Sequence, residues 1–112
     1  MNLAGKPPLG LKQPLQRTNK ARMAAVAAMP CVICHEWGMP QLSPTQVHHC
    51  IHGRGSMGRR APDSMTIPLC EGHHQGLMDT TKIALHREPA QWRLHYGNDT
   101  RFISWVEERL ET

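Results

Sequence analysis

The chain of 112 residues carries 13 Lys and Arg against 9 Asp and Glu, so its formal net charge is +4 at pH 7. Because 39% of its residues are hydrophobic and only 4% are aromatic, we expect a single small domain with a thin core. No apolar run approaches the ~20 residues of a membrane span, and the first residues lack the apolar stretch of a signal peptide, which favours a cytoplasmic protein.

The N-terminal part, residues 1–28, is predicted to be a basic, partly disordered arm that ends in a short helix. Its positive charge comes from Lys6, Lys12, Arg17, Lys20 and Arg22. Such an arm is either a solvated terminus or an electrostatic contact to a phosphate backbone, and the sequence leaves both open. Thr18 is the expected cap of a helix that runs to about Ala28, and Pro30 stops it.

The middle of the chain combines turns and strands. CVIC at 31–34 predicts a tight turn that presents two thiols, and residues 35–44 predict a loop. TQVHHC at 45–50 and SMTIPLC at 64–70 have strand character, with a glycine- and arginine-rich loop between them. EGHHQGLMD, which follows, is expected to open a helix, although its glycines weaken that helix.

Two helices are predicted near the C-terminus. Pro89 fits the first turn of one helix, and Gly97 ends it. Asn98 or Asp99 is expected to cap the other. The apolar residues on one face of that last helix are Phe102, Ile103, Val106 and Leu110. We assign both helices a packing role and no chemistry.

Four Cys and eight His are unusual numbers for so short a chain. Because cytosolic cysteines are mostly reduced, metal ligation explains Cys-x-x-Cys better than a disulfide does. Cys31 and Cys34 form one ligand pair, and Cys70 and His73 form a second about 36 residues later, which predicts a structural zinc with four tetrahedral ligands. Cys50 is the alternative fourth ligand, although it lacks a paired neighbour. The pattern also allows buried thiols without a metal.

A second group of histidines lies close in the sequence to these predicted zinc ligands. His48 and His49 are adjacent on a predicted strand, so their rings point to opposite faces, and one can bind a metal while the other points toward substrate. His74 directly follows the zinc ligand His73. Phosphodiester hydrolysis needs a base that takes a proton from water and a cation that neutralises charge on the phosphate. The candidates for holding a DNA backbone are Arg54, Arg59 and Arg60.

Four segments of the chain resemble HNH endonucleases, the ββα-metal or His-Me finger group. They are PCVIC, VHHCIHGRGSMGRR, SMTIPLCEGHHQG and ALHREPAQWRLHYG. Within that group they look most like the phage recombination-enhancement (Ref-type) RecA-dependent nucleases. The resemblance covers roughly residues 29–97. It implies an α+β fold with a small ββα-metal core and a structural zinc knuckle, flanked by an N-terminal helix and two C-terminal helices. Residues 29–112 would then form the HNH domain.

The resemblance also implies roles for individual residues. His49 matches the general base, and His48 and His74 match ligands of a catalytic Mg(II) or another divalent ion. HNH proteins usually carry an Asn on the second strand that orients the base, and here Asp63, or else Ser64, takes that place. The structural zinc ligands implied are Cys31, Cys34, Cys70 and His73.

The third catalytic-metal ligand departs from the family pattern. Many members have a metal-binding His one helical turn after the position of His74, where this chain has Met78. His86 lies in a segment that resembles the family's later His, so we take His86 as the third ligand.

The resulting hypothesis is a metal-dependent DNA endonuclease, a phosphodiester hydrolase, directed by a RecA filament and acting in phage recombination or DNA processing. Its expected partners are DNA and RecA, with no membrane, in the host cell cytoplasm if a phage encodes it. One alternative is a non-catalytic zinc-ribbon module that binds nucleic acid, which would have no use for His48, His49 and His74 together. A nuclease fold that is catalytically silent and binds a partner is a third possibility.

Overall fold

A computed structural model describes residues 19–52 and 61–111. Within these ranges two antiparallel strands form one sheet, with β1 at Thr45–His49 and β2 at Thr66–Cys70. Thr45 pairs with Cys70 and His49 pairs with Thr66. The α+β class predicted from the sequence is confirmed.

Helices surround this strand pair. The α-helices are α1 (Lys20–Ala27), α2 (Val32–Trp37), α3 (Glu71–His74), α4 (Pro89–Tyr96) and α5 (Ile103–Leu110). Short 3₁₀ helices at Asp63–Met65 and Asp99–Phe102 precede β2 and α5, respectively. None of the helices in the described ranges is both long and apolar enough to span a membrane.

Helix α1 packs on β2, so it shares the core of the strand pair. Its cap is Asn19, whose side chain accepts the N–H of Arg22 at 3.0 Å. Thr18, the cap that we predicted, lies outside the described residues. Val26 is fully buried. The buried Arg22 guanidinium donates from Nε to the Thr66 hydroxyl at 2.9 Å and from Nη2 to the Thr66 carbonyl at 3.0 Å, and it pairs with Glu107.

Helix α2 replaces the turn and the first part of the loop that we predicted for residues 31–44. Cys31 caps the helix, since its Sγ accepts the N–H of Cys34 at 3.5 Å. The chain leaves the helix at Gly38, whose φ of 66° suits a residue without a Cβ. Two residues between the thiols therefore correspond to a first helical turn, which places both sulfur atoms at the N-terminus of α2.

The hydrophobic core lies between β2 and the helices packed around it. Fully buried Ile67 and Leu69 of β2 share this core with Trp92 of α4 and Val106 of α5. Pro89 begins α4 and Gly97, at φ 90°, ends it, as predicted. The chain then makes the 3₁₀ turn, and the predicted side-chain cap is wrong because neither the Asn98 nor the Asp99 side chain caps a helix.

Candidate metal centres

Two ligand pairs from distant parts of the chain meet beside β2. Cys31 and Cys34 lie at the start of α2, and Cys70 and His73 lie at the start of α3. All four are buried. His73 Nδ1 lies 3.6 Å from Sγ of Cys31, 3.5 Å from Sγ of Cys34 and 3.3 Å from Sγ of Cys70. The Sγ atoms of Cys34 and Cys70 are 3.8 Å apart.

These separations fit one tetrahedral ion. With zinc bonds of about 2.3 Å to sulfur and about 2.0 Å to nitrogen, tetrahedral geometry separates two sulfur atoms by about 3.8 Å and a sulfur from a nitrogen by about 3.5 Å. The backbone N–H of Cys34 points at Cys31 Sγ, and that of His73 points at Cys70 Sγ at 3.4 Å, which stabilises negative sulfur at both helix starts. The four residues could therefore hold a metal ion such as zinc.

The three buried thiols differ in their pKa values. Hydrogen bonds from Cys31 and His73 lower the pKa of Cys70 to about 3. Burial, with Cys70 nearby, raises the pKa of Cys34 to about 11, and the hydrogen bond to Cys70 together with burial raises that of Cys31. A bound dication would favour the thiolate form of all three cysteines, so metal binding is coupled to proton release.

Cys50 lies outside this group. It is fully buried, and burial raises the pKa of its thiol. Its backbone N–H donates to the carbonyl of Met65 at 2.9 Å. The four ligand atoms that the structure brings together belong to Cys31, Cys34, Cys70 and His73. The fourth ligand is therefore His73 and not the alternative, Cys50. Cys50 thus serves as a small apolar core residue.

A second cluster is formed by the imidazoles of His48, His74 and His86. The ring centroids are 5.0 Å apart for His48 and His74, 5.4 Å for His48 and His86, and 4.9 Å for His74 and His86. One ligand nitrogen from each ring lies within 4.8 Å of the others. The N–H of His86 donates to the carbonyl of His74 at 3.0 Å, which holds the incoming loop against α3.

This second cluster is open on one side. His48 and His74 are buried, whereas His86 is exposed. A cavity of about 300 Å³ adjoins His86 and is also lined by Gln75, Leu77 and Arg87. The arrangement offers three nitrogen ligands, one of them on an exposed residue, whereas the cysteine cluster offers four buried ligands.

Outer hydrogen bonds fix two of these rings. The Asp99 carboxylate can only accept, so His48 Nε2, 2.8 Å from Asp99 Oδ2, carries the proton and Nδ1 keeps its lone pair. The amide oxygen Oε1 of Gln46 lies 2.7 Å from His74 Nδ1, which likewise leaves the lone pair on Nε2 of His74. Burial, with His48 and His86 nearby, lowers the pKa of His74 to about 4, so this ring is neutral and able to bind a metal at pH 7.

His49 points away from the three-histidine cluster, as strand alternation predicts. Its Nε2 lies 2.7 Å from Asp63 Oδ1. Asp63 is almost fully buried, and its Oδ2 accepts the backbone N–H of Asn19 at 2.6 Å. Asp63, the residue we proposed in place of the family's Asn, therefore contacts the ring that it was expected to orient. The His49 side chain is 14% exposed, so water reaches the ring.

Comparison with known proteins identifies the family. The model of DUF968, described as a protein of unknown function, matches residues 6–109. The chain belongs to the DUF968 family. It is also 35% identical over 79 residues to YdfU, an uncharacterized protein of Escherichia coli strain K12, and this covers 70% of the chain and 19% of YdfU. The DUF968 chain thus spans about a fifth of the length of YdfU. No solved structure matches the DUF968 chain.

Sequence reasoning missed two residues of this DUF968 chain that hydrogen-bond to the second cluster. Asp99 was assigned to a packing segment without chemistry, whereas its carboxylate is fully buried beside His48. Gln46, which bonds His74, carried no signal beyond its position two residues before His48 on β1. The three arginines proposed to hold a DNA backbone, which lie outside the described residues, are Arg54, Arg59 and Arg60.

Proposed function

We propose that this chain is a metal-dependent DNA endonuclease of the HNH type that hydrolyses phosphodiester bonds. The observation that carries the proposal is on β1, where adjacent residues serve two different clusters. His49 is paired with a buried carboxylate, and His48 is grouped with two other imidazoles. A base and a cation site on one strand are the two components that phosphodiester hydrolysis requires.

In the proposed reaction His49 takes the proton from the attacking water. Its Nε2–H donates to Asp63, so the lone pair on Nδ1 is the one available for the proton. The negative Asp63 holds the ring in this tautomer and stabilises the imidazolium once it forms. Asn19, whose N–H binds the other carboxylate oxygen, keeps Asp63 from turning away.

His48, His74 and His86 would hold the catalytic ion, which when bound neutralises charge on the phosphate and on the leaving oxygen. All three ligands offer imidazole nitrogen, whereas Mg(II) prefers oxygen ligands. The cluster therefore suits Mn(II), Zn(II) or Ni(II) better than Mg(II). Gln46 and Asp99 keep the lone pairs of His74 and His48 directed toward the ion.

The cysteine cluster would hold a structural zinc through Cys31, Cys34, Cys70 and His73. Its four protein ligands leave no position for substrate. The zinc would tie the start of α2 to the start of α3 and so fix His74, the residue next to His73. The chain order of β1, β2 and α3 is that of a ββα-metal core, which supports the assignment to the HNH group.

The test is cleavage of supercoiled plasmid and single-stranded DNA in Mn(II) or Mg(II), with an EDTA control. We expect His49→Ala to keep its zinc and to cut at least ~100-fold more slowly than the wild type. His95→Ala is the matched control, because His95 is exposed on α4 and bonds only the Gln91 carbonyl of its own helix. Equal cutting by His49→Ala would remove His49 from the role of base.

Two further arms of this assay address the other hypotheses. RecA with ATP tests whether cutting is directed by a RecA filament, as the Ref-type resemblance implies. If the folded, zinc-loaded wild type binds DNA but cuts in none of the arms, the zinc-ribbon binding module is the better description.

A further inference from the structure

Asp99 joins the C-terminal part of the chain to β1. It is the first residue of the 3₁₀ turn before α5 and is completely buried. Its Oδ2 accepts from Nε2 of His48 at 2.8 Å and from the backbone N–H of Ile51 at 2.8 Å. Its Oδ1 accepts the backbone N–H of His52 at 3.1 Å, and its own N–H donates to His52 Nδ1 at 2.8 Å.

We infer that Asp99 is a positioning residue that sets the affinity of the three-histidine cluster for its ion by holding His48 with Nδ1 unprotonated and directed at the ion. The inference rests on the proposed function, because it takes the three histidines as the site of the catalytic ion. Asp99 belongs neither to the two pairs of zinc ligands nor to the His48–His49 pair.

The geometry allows only one tautomer of neutral His48. A carboxylate has no proton to donate, so the proton between the two residues belongs to His48 Nε2. A negative partner on Nε2 also makes the opposite nitrogen a stronger ligand, and such outer partners typically change metal affinity by about 10–100-fold.

The same carboxylate fixes the backbone beside the ligand. Ile51 and His52 lie just beyond Cys50, the residue that follows β1, and both donate their N–H groups to Asp99. The ring of His48 and the chain that continues from its strand are therefore held by one side chain. Loss of the Asp99 charge would loosen both the His48 ring and this backbone. The cysteine cluster would be unaffected, because its ligands lie at the starts of α2 and α3.

The experiment is titration of zinc-loaded protein with Mn(II), followed by calorimetry and by the electron paramagnetic resonance of free Mn(II). We expect Asp99→Asn to bind Mn(II) about 10–100-fold more weakly than the wild type while keeping its zinc. Asn98→Ala is the matched control, because Asn98 is the exposed neighbour and its side chain makes no capping hydrogen bond. Equal Mn(II) affinity for Asp99→Asn and wild type would overturn the inference.

A second measurement needs no variant and so holds even if Asp99→Asn does not fold. Long-range ¹H–¹⁵N NMR of the wild type without Mn(II) should show His48 protonated at Nε2, and a ring protonated at Nδ1 would overturn the inference. A wild type that binds no Mn(II) at the three histidines overturns both this inference and the proposed catalytic centre. Weakened Mn(II) binding in Asp99→Asn, with no cutting of DNA by the wild type, supports the inference and refutes only the nuclease.

Discussion

His49 Nε2 lies 2.7 Å from Oδ1 of Asp63, a carboxylate that precedes β2 and is almost fully buried. The other oxygen of Asp63 accepts the N–H of Asn19, at the start of α1. The proposed base is thus positioned by a carboxylate at the loop end of the strand pair and, through that carboxylate, by the start of α1.

Replacing Asp63 should affect cleavage in a graded way. Asp63→Ala removes the acceptor for His49 Nε2–H, so we expect the rate of DNA cleavage to fall by about 10–100-fold or more. Asp63→Asn keeps a carbonyl oxygen that can accept the same proton, and the HNH group usually has Asn there, so this variant should retain more activity than Asp63→Ala. Single-turnover cleavage rates of the three proteins would decide. Equal rates for Asp63→Ala and wild type would exclude Asp63 from orienting the base.

Zinc content should distinguish Cys70 from Cys50. Cys70→Ala removes one of four ligands, and structural zinc contributes about 10–16 kcal/mol in zinc-finger peptides, as much as the whole stability of a small domain. We therefore expect Cys70→Ala to lose zinc and cooperative unfolding. Cys50→Ala should keep one zinc per chain, because its thiol is outside the cluster. Metal analysis combined with thermal unfolding by circular dichroism checks both, and zinc loss in Cys50→Ala alone would reverse the ligand assignment.

Glu71 should contribute an acid-sensitive part of the stability. Its carboxylate accepts the backbone N–H groups of Asp79, Leu77 and Met78 at 3.0, 2.6 and 2.9 Å, which lowers the pKa of Glu71 from its ordinary 4.5. Because the folded pKa is below the unfolded one, this contribution is complete above about pH 4.5 and is lost as the pH falls through the folded pKa.

The measurement for Glu71 is urea unfolding of wild type and Glu71→Gln between pH 3 and pH 7. The wild type should be the more stable protein at pH 7, and the difference should shrink below about pH 4.5. A difference that stays constant over this range would show that the carboxylate charge does not hold the 77–79 backbone.

Local patterns predicted the parts of the site that depend on neighbouring residues. Two ligands three residues apart at a helix start, and the opposite faces of His48 and His49 on a strand, follow from chain geometry alone. Helix α2 was missed because Gly38, Pro40 and Pro44 favoured a loop over residues 35–44. Gly38 instead provides the C-terminal end of the helix.

Contacts across long separations were harder to predict. His86 entered only through the family resemblance, and its place beside His74 depends on the fold of the intervening loop. Asp99 was interpreted as a helix cap because Asp is common at that position. Its side chain reaches His48, 51 residues away, because the turn before α5 lies beside the end of β1.

The most direct test of two different metal centres is anomalous X-ray scattering from crystals of the zinc-loaded protein soaked in Mn(II). We predict a zinc peak within bonding distance of three sulfur atoms and His73 Nδ1, and a manganese peak bound by Nδ1 of His48 and Nε2 of His74, with His86 as the third ligand. A zinc peak at the cysteines with no ion at the three histidines, under conditions in which Mn(II) supports DNA cleavage, would contradict the account.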